Sequence, residues 1–499
     1  MSTPRSRGPV ARRAGLVGGL VLAATVVGLL APFLGADPSP RLTFSNARET
    51  DEGFNLANAR QRVLFGEFAT GDVDRSLTNG AYSAVAAGVF GVTGPSLAAG
   101  RAVSVAALAL AVLLLAAGLT EPLGTAAALL AAAALAGANL ALEYGRLGMV
   151  EPTLVALLTG GFVLATRAAR GRSGWAGAGA GLLAAAAVSV KATAVVPVAA
   201  MLAVLLGSAL WRRDRRALAA ALAALAALAA AAAAWVLVVA LPNLDRLRIA
   251  LRIWPTVNYP RTPWGVAQRL GEYLGASDQA MDRSAPLLVA ALVGLAALGW
   301  RWRTLDGAAR DTLAMAALWG FGLWLAIAVG DYHPNRYVVP ALPGLAVLAG
   351  FGLAAVAAAP SRGRGVLAVA LGLAVAVPGA AWYLSAAAAS GDQRERDQRA
   401  LAAALPGDAV VLGAYAPTLL FDTRLELLTL WPSAGANSRD PVGRFGVTHV
   451  LAATAGDRSD PTLAVPELRG LRPAAGVIQV RWDDHTLQLH QLDPRGRPR

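Results

Sequence analysis

The stretch ALAAALAALAALAAAAAAWVLVVAL, Ala217 to Leu241, is apolar from end to end. A helix needs about 20 consecutive apolar residues to cross the hydrocarbon core of a bilayer, so this stretch predicts a transmembrane helix. Other runs have the same character, and the chain of 499 residues is 56% hydrophobic and 15% charged, with a mean hydropathy of +0.52. We therefore predict an α-helical, polytopic membrane protein.

The chain is strongly basic, with a formal net charge of +13 and 44 lysine and arginine residues, of which Lys191 is the single lysine. The arginines concentrate in short loops between apolar runs, as the positive-inside rule describes for cytoplasmic loops. This placement argues against nucleic-acid binding. The absence of cysteine excludes disulfides, cysteine-ligated metals and a cysteine nucleophile.

The basic loops also predict a topology. Arginines before the first apolar run and in later loops are assigned to the cytoplasmic side. The resulting scheme has about eleven transmembrane helices in a plasma (inner) membrane, with a cytoplasmic N-terminus and an extracytoplasmic segment from about Ser390. The basic loops lie near residues 167–172, 212–216, 301–310 and 362–364, and the helices near 14–34, 101–119, 123–142, 151–168, 174–190, 193–210, 217–241, 285–300, 312–330, 337–358 and 365–387.

Two apolar segments need interpretation within that scheme. The segment Ala81 to Gly100 would reverse every later loop if it crossed the membrane, so we predict an interfacial helix on the outer face. Residues 174–210 lie between two cytoplasmic loops and must cross twice, so we predict a helical hairpin. Its turn falls at Lys191, which places this lysine at the outer surface.

The predicted outer face collects charges of both signs. The membrane domain, residues 1–389, has outer loops at residues 35–100, 143–151, 242–285 and 330–336. Acidic residues on two of these loops, beside a lysine and an arginine-rich loop, suit a substrate with a phosphate leaving group. Arginine binds phosphate through paired hydrogen bonds and lysine as a point charge. A carboxylate can act as a general base or bind a divalent cation.

Four stretches, in order along the chain, resemble the motifs of one superfamily. They are TDEGFNLANAR (50–60), GAYSAVAAGVFGVTGPSLAAGRAVS (80–104), YGRLGMVEPTL (144–154) and SVKATAVVPVAA (189–200), with a looser match in YHPNRYVVPALPGLAVLAG (332–350). The set resembles the GT-C superfamily of membrane glycosyltransferases, in the branch that holds the protein O-mannosyltransferases and the lipid A aminoarabinose transferases.

The resemblance implies inverting transfer of a sugar from a polyprenyl-phosphate carrier to a lipid, glycan or protein hydroxyl, on the extracytoplasmic side. It implies that Asp51 is the catalytic base and Glu151 the second catalytic carboxylate, and both are candidates to bind Mg²⁺ or Mn²⁺. One departure is LTNGAY, residues 77–82, where relatives often have an acidic residue followed by Lys-Pro-Pro. Glu67 and Asp72 are candidates to replace its contacts.

A larger set of residues is assigned to substrate binding. Basic members would hold the carrier phosphate, and aromatic members would shape the site. Each also has a structural interpretation, as a helix cap or dipole partner or as an anchor among lipid headgroups. His333 has no second histidine at ligand spacing and is interpreted as structural. The candidates are Glu52, Arg146, Lys191, Arg248, Arg252, Tyr259, Arg261, Arg336 and Tyr337.

From Ser390 the sequence changes character. Residues 391–406, GDQRERDQRALAAALP, predict a polar helix. We predict a small extracytoplasmic α/β domain over residues 390–499, with an accessory or acceptor-binding role. The predicted strands are DAVVLGAY (408–415), GVTHVLAAT (446–454), GVIQVRW (476–482) and HTLQLHQL (485–492), the last two forming a hairpin.

Two other functions fit a multi-pass membrane protein. The main alternative is a transporter or flippase for a lipid-linked sugar, which would favour internal repeats and charges near the bilayer midplane. This sequence shows no repeat, and its charges collect on one face, which favours the enzyme. The third is a scaffold for envelope enzymes, which would tolerate loss of Asp51. Membrane lipids are expected partners in every case.

Overall fold

The computed structural model has two parts, a bundle of long apolar helices and a smaller mixed α/β domain at the C-terminal end. The prediction of a polytopic α-helical membrane protein with a small C-terminal α/β domain is confirmed. The structure describes residues 9–38, 50–171, 173–254, 257–275, 280–332, 334–358, 362–454, 462, 465, 468, 479–482 and 485–492.

The helices of the first part follow the apolar runs of the sequence. In chain order they are α1 (Pro9–Leu30), α2 (Glu52–Phe65), α3 (Gly80–Thr93), α4 (Leu97–Leu123), α5 (Thr125–Ala136), α6 (Asn139–Arg146), α7 (Val150–Ala168), α8 (Gly174–Val190), α9 (Val195–Arg212), α10 (Arg215–Trp235), α11 (Leu244–Arg252), α12 (Pro263–Gly275), α13 (Ala280–Arg301), α14 (Gly307–Ala328), α15 (Leu342–Ala357) and α16 (Arg362–Ala388).

Nine segments in the described part of the chain are long and apolar enough to cross a membrane, and the bent pair α5 and α6 would make a tenth. The remaining predicted span is α8, whose 17 residues lie at the lower end of the length that crosses a bilayer. Helix α3 has 14 residues, which gives about 21 Å at 1.5 Å per residue. That length is too short for a span and fits the predicted interfacial helix.

The single predicted helix at 123–142 is wrong in detail. The chain turns at Gly124, where φ is 97°, and then bends by 57° between α5 and α6. A Cβ on Gly137 would lie 2.4 Å from Cα of Ala376, so a residue without a side chain lets this break pack against α16. The bend directs α6 into the protein, where each of its residues is buried.

Small residues allow close packing between α8 and α10. A Cβ on Gly177 would lie 2.0 Å from the Ala220 carbonyl oxygen, and one on Gly181 would lie 2.1 Å from the Ala224 oxygen. In lipid, helix association depends on this kind of van der Waals contact because lipid tails are as apolar as the side chains. The packing fixes α8 and therefore the position of Lys191, which directly follows it.

The C-terminal domain contains a five-stranded sheet in the order β2-β1-β3-β5-β4. Strand β1 is parallel to β2 and β3, whereas β5 is antiparallel to β3 and β4. The polar helix and the four predicted strands are confirmed, whereas β2 was not predicted; it is a strand through its parallel pairing with β1. The elements are α17 (Gln393–Ala404), β1 (Val410–Gly413), α18 (Ala416–Leu419), β2 (Glu426–Thr429), α19 (Pro441–Phe445), β3 (His449–Ala453), β4 (Gln479–Trp482) and β5 (His485–Gln491).

Helix α2 joins the two parts of the molecule. Arg60 on α2 is 1% exposed and donates hydrogen bonds to the backbone carbonyls of Phe421, Thr423 and Leu425 at 2.7 to 2.9 Å. Hydrogen bonds from a charged donor are worth more than neutral ones, and a buried guanidinium needs them all. The buried, desolvated guanidinium of Arg60 therefore helps to dock the C-terminal domain on α2.

A second contact between the two parts uses Asp72. Its backbone N–H donates to Oδ1 of Asn437 at 2.7 Å, and its carboxylate pairs with Arg444 at 2.8 Å. Asp72 thus serves the interface between the two parts and does not line the cavity described below. Glu67, the other residue predicted to replace the contacts missing at LTNGAY, is exposed.

Candidate functional site

A cavity of about 360 Å³ lies where the helical part meets the C-terminal domain. Segments that are far apart in sequence converge on it, and its lining is rich in charged and aromatic side chains. The lining residues are Asp51, Phe54, Asn55, Arg75, Asn79, Met149, Val150, Glu151, Lys191, Arg252, Ile253, Trp254, Tyr332, Arg336, Tyr337, Trp431 and Ser433.

Asp51 stands at the start of α2 and faces this cavity. Its backbone is already helical, with φ −68° and ψ −35°, and its side chain does not cap its own helix. Oδ2 lies 2.8 Å from a terminal nitrogen of Arg336, and the side chain is 19% exposed. This contact is an ion pair without the alignment of a hydrogen bond, since Oδ2 accepts none among the described residues. The carboxylate is therefore held by charge and is open to a hydrogen-bond donor.

Glu151, in the first turn of α7, forms the second ion pair of the cavity. Nζ of Lys191 donates to its Oε1 at 2.5 Å, and the Glu151 side chain is 1% exposed. Its other oxygen, Oε2, is buried and has no hydrogen-bond partner among the described residues. A buried carboxylate oxygen without a partner is unfavourable unless water or a ligand supplies one, so this oxygen is a candidate contact point for a bound molecule.

Lys191 occupies the turn between α8 and α9, as predicted, in an extended backbone conformation. Its ammonium lies 3.8 Å from the centre of the Tyr337 ring, in addition to its bond with Glu151. Burial lowers the pKa of this ammonium from 10.5 to about 8, and the negative charge of Glu151 opposes that effect. A lysine fits here because a compact ammonium can contact a ring face and a carboxylate at once.

Arg75 also lines the cavity, and it was not among the residues predicted for the site. Its guanidinium lies 4.5 Å from the centre of the Phe54 ring. Burial lowers its pKa to about 10, and the charge of Asp51 opposes that effect. With the Asn79 amide oriented to satisfy its neighbours, its oxygen accepts from Arg75 at 2.8 Å. Asn79 belongs to the LTNGAY segment and Arg75 lies two residues before it, so these two residues supply the cavity contacts near this departure.

The C-terminal domain closes one side of the cavity with Trp431 and Ser433. The Trp431 ring stacks on Phe54 of α2, with ring centres 5.2 Å apart and planes 21° apart. Stacked aromatic pairs add about 0.5–1.5 kcal/mol beyond their buried area. The domain predicted to be an accessory therefore contributes directly to the wall that faces Asp51.

Comparison with known proteins identifies the architecture. The family described as dolichyl-phosphate-mannose-protein mannosyltransferase matches residues 81–237. The chain superposes on ArnT from Cupriavidus metallidurans in the apo state with a TM-score of 0.64 and 15% identity, covering 95% of this chain and 98% of that one. The chain has the GT-C fold. The predicted resemblance to GT-C membrane glycosyltransferases is confirmed.

Two further GT-C structures give the same result. ArnT from the same organism bound to undecaprenyl phosphate matches with a TM-score of 0.59 and 14% identity, over 94% of this chain and 97% of that one. The Archaeoglobus fulgidus oligosaccharyltransferase, in complex with Zn and sulfate, matches with a TM-score of 0.54 and 14% identity, over 87% of this chain and 68% of that one. No curated protein sequence matches the chain.

Several predicted site residues do meet in the cavity. Asp51 and Glu151 lie there with two cationic partners, Arg336 and Lys191, as does Tyr337, and Arg252 at the end of α11 contributes to the rim. Four of the quoted stretches, 50–60, 144–154, 189–200 and 332–350, therefore meet at the cavity, whereas 80–104 contributes no lining residue.

Glu52 is placed elsewhere, although it neighbours Asp51. It is fully buried and forms a paired ion bridge to Arg101, with both contacts at 2.8 Å. Its Oε1 also accepts from the backbone N–H of Gly148 at 2.7 Å. Glu52 is assigned to substrate binding by the sequence, but the structure uses it to join α2 to α4 and to the turn before α7.

Arg146 likewise lies outside the cavity lining. Its guanidinium is buried and donates to the carbonyls of Phe33 and Ala36, at 3.0 and 2.9 Å, and to Oγ of Ser390 at 3.1 Å. These contacts tie α6 to the end of α1 and to the chain segment that follows α16. They leave the predicted substrate contact without support in the geometry.

Three further candidates lie outside the lining residues. Arg248 is 68% exposed and pairs with Asp245 on its own helix, Tyr259 is 56% exposed, and Arg261 is also exposed. The spacing of Arg248 and Arg252 put both on one helix face, but only the helix end reaches the cavity. His333 lies outside the described residues.

The predicted divalent cation would need carboxylate oxygens that are free to coordinate it. Asp51 and Glu151 each have a cationic partner already, at 2.8 and 2.5 Å. The described residues include no group of three or more histidine, aspartate or glutamate side chains arranged to hold a metal ion. Two carboxylates that each face a cation, with no third acidic or histidine ligand beside them among the described residues, do not fit Mg²⁺ or Mn²⁺.

Proposed function

We propose that this chain transfers a sugar from a polyprenyl-phosphate carrier to an acceptor hydroxyl, at the extracytoplasmic surface of a plasma (inner) membrane. The observation that carries the proposal is the pair of carboxylate–cation couples in one cavity, Asp51 with Arg336 and Glu151 with Lys191. Acid–base chemistry on a hydroxyl and charge stabilisation of a phosphate leaving group need this combination.

The choice of donor rests on charge and on the comparisons. Cations from four segments, Arg75, Lys191, Arg252 and Arg336, border the same cavity, and phosphate is the anion that such a cluster suits. The GT-C structure that contains undecaprenyl phosphate supports a polyprenyl-phosphate carrier for this chain. The acceptor is a lipid, glycan or protein hydroxyl.

In the proposed reaction, Asp51 removes the proton from the acceptor hydroxyl. The acceptor oxygen forms a bond to the anomeric carbon from the face opposite the carrier, which inverts that centre. The bond from this carbon to the phosphate oxygen breaks, the oxygen keeps the electron pair, and polyprenyl phosphate leaves. Lys191 and Arg75 stabilise the charge on that oxygen, and Glu151 orients Lys191.

The test is sugar transfer by purified protein from a radiolabelled polyprenyl-phosphate sugar, with wild type beside Asp51→Asn. We expect at least a 100-fold loss of kcat, the usual scale for removing a general base. The matched control is Asp245→Asn, since Asp245 also pairs with an arginine but is 93% exposed. It should keep full activity.

Two results would overturn the proposal. Equal transfer by wild type and Asp51→Asn would remove Asp51 as the base. A wild-type protein that transfers no sugar, yet moves a fluorescent lipid-linked sugar across the bilayer of reconstituted vesicles, would establish the transporter alternative instead.

A further inference from the structure

The first turn of α2, which carries Asp51, depends on a residue from the far end of the chain. An aspartate before a helix normally caps it, with an extended backbone and a side chain that accepts from an N–H two or three residues later. Asp51 instead lies with Thr50 in a π-helical turn that runs into α2, so its backbone is helical and its side chain makes no such bond. Its carboxylate faces the cavity and Arg336 instead.

The N–H that Asp51 would cap is bonded by Thr418. The backbone N–H of Gly53 donates to Oγ1 of Thr418 at 3.2 Å, and the same hydroxyl donates to the carbonyl oxygen of Thr50 at 3.1 Å. Thr418 is fully buried. One hydroxyl therefore holds the residues on both sides of Asp51 and uses its donor and its acceptor to do so.

The approach of Thr418 requires the glycine at position 53. A Cβ there would lie 2.3 Å from the backbone nitrogen of Thr418 and 2.3 Å from the carbonyl carbon of Pro417. No side chain fits in that space, so α18 sits directly against the α2 backbone. The contact is a built feature of the interface, and Arg60 anchors the segment after α18 two turns further along α2.

We propose that Thr418 is a positioning residue for the transfer reaction. By bonding the Gly53 N–H and the Thr50 carbonyl, its hydroxyl holds the backbone before and after Asp51 and leaves the Asp51 side chain uninvolved in either bond. The Asp51 carboxylate is thereby free to receive the acceptor proton. The inference rests on the proposed function, in which Asp51 is the base, and it assigns a role in the reaction to the C-terminal domain.

The experiment compares Thr418→Val, which keeps the shape of the side chain, with Thr418→Ser, which keeps the hydroxyl. Without the hydroxyl, the turn that carries Asp51 loses two hydrogen bonds, and its carboxylate is held less firmly toward the cavity. We expect kcat of Thr418→Val to fall about 10- to 100-fold, the effect of a small misplacement of a catalytic group, with the donor KM within about twofold of wild type. Thr418→Ser should restore most of the activity.

A second readout separates this role from general stability. In the Asp51→Asn background, Thr418→Val should cause no further loss of kcat, because the group it positions is already gone. Hydrogen exchange of the peptide that holds residues 50–56 should quicken in Thr418→Val, while the other helices keep their protection.

The outcomes distinguish this inference from the proposed function. If Asp51→Asn abolishes transfer and folded Thr418→Val matches wild type, Thr418 has no positioning role and Asp51 remains the base. If Thr418→Val fails to fold while Thr418→Ser is active, the hydroxyl serves docking of the whole domain, and the inference is wrong. If Asp51→Asn is fully active, Asp51 is not the base, and both the proposed function and the positioning role of Thr418 are wrong.

Discussion

Asp51 and Glu52 are adjacent acids with different environments. Successive residues on a helix point about 100° apart, so they do not share a face. When one of them faces the cavity, the other faces the protein interior, where Arg101 binds it. Removing one partner of a buried ion pair costs about 3–5 kcal/mol, because it leaves the other charge buried alone.

We therefore predict that Glu52→Gln lowers the free energy of unfolding by about 3 kcal/mol or more, measured by thermal unfolding in detergent. The matched control is Glu272→Gln. Glu272 pairs with Arg269, and their side chains are 48% and 43% exposed, respectively. A surface pair contributes about 0–1 kcal/mol. A folded Glu52→Gln protein with normal stability and a raised donor KM would instead support the substrate-binding role predicted from the sequence.

Lys191 predicts an alkaline limit to activity. Burial lowers its pKa to about 8, so its charge disappears as the pH rises through that value and the phosphate loses a cation. We expect kcat/KM, which reports the free enzyme, to fall above about pH 8. In Lys191→Arg the fall should vanish, since arginine stays charged, although the bulkier group lowers the maximum.

The same group has the opposite effect on stability. Between about pH 8 and 10.5 the unfolded chain binds the Lys191 proton more tightly than the folded protein does. Its contribution to stability therefore rises with pH in this window. Loss of activity at pH 9 with an unchanged or higher unfolding temperature is the expected signature, and parallel loss of both would contradict it.

At the level of elements, the contact between α2 and α18 makes a sharp prediction. Gly53→Ala places a Cβ 2.3 Å from backbone atoms of residues 417 and 418, which cannot move like a flexible side chain. We expect a lower unfolding temperature and at least a tenfold loss of transfer, on the scale of overpacking and misplacement effects. Gly80→Ala is the control, since a Cβ there meets no atom within 4 Å.

The helices could be predicted from the sequence because hydropathy alone decides whether a segment enters lipid. The break at Gly137 could not, since it depends on α16 approaching from far along the chain. Strand β2 was not predicted for a similar reason, because its four residues become a strand only through pairing with β1. Local sequence patterns thus predict the type of an element, whereas tertiary contacts decide where the element begins and ends.

At the level of the whole molecule, the sidedness of the proposed site can be tested in this chain without cysteine. Ala192, beside Lys191, and Thr304, in a basic loop, are both exposed. We expect Ala192→Cys to react with an impermeant maleimide added outside intact cells, and Thr304→Cys to react only after permeabilisation. The reverse pattern would place the cavity on the cytoplasmic side.

The candidate site was only partly accessible to sequence reasoning. Asp51, Glu151 and Lys191 stood out because acids and a lone lysine are rare among apolar runs. Arg75 did not, since arginine is the usual cation of this chain and its enclosure comes from folding. Trp431 was missed because it belongs to another domain, and no local pattern reveals that α2 brings it to the cavity.

The bond between Gly53 and Thr418 joins residues 365 positions apart in the chain. At a synthesis rate of about 5–20 residues per second, the first turn of α2 waits roughly 20–70 s for its partner. Until then the backbone around Asp51 lacks its two hydrogen bonds to Thr418, so from the proposed function we expect a chain truncated before this residue to transfer no sugar. Emergence of Thr418 from the ribosome, and not of α2 itself, would then complete the proposed site.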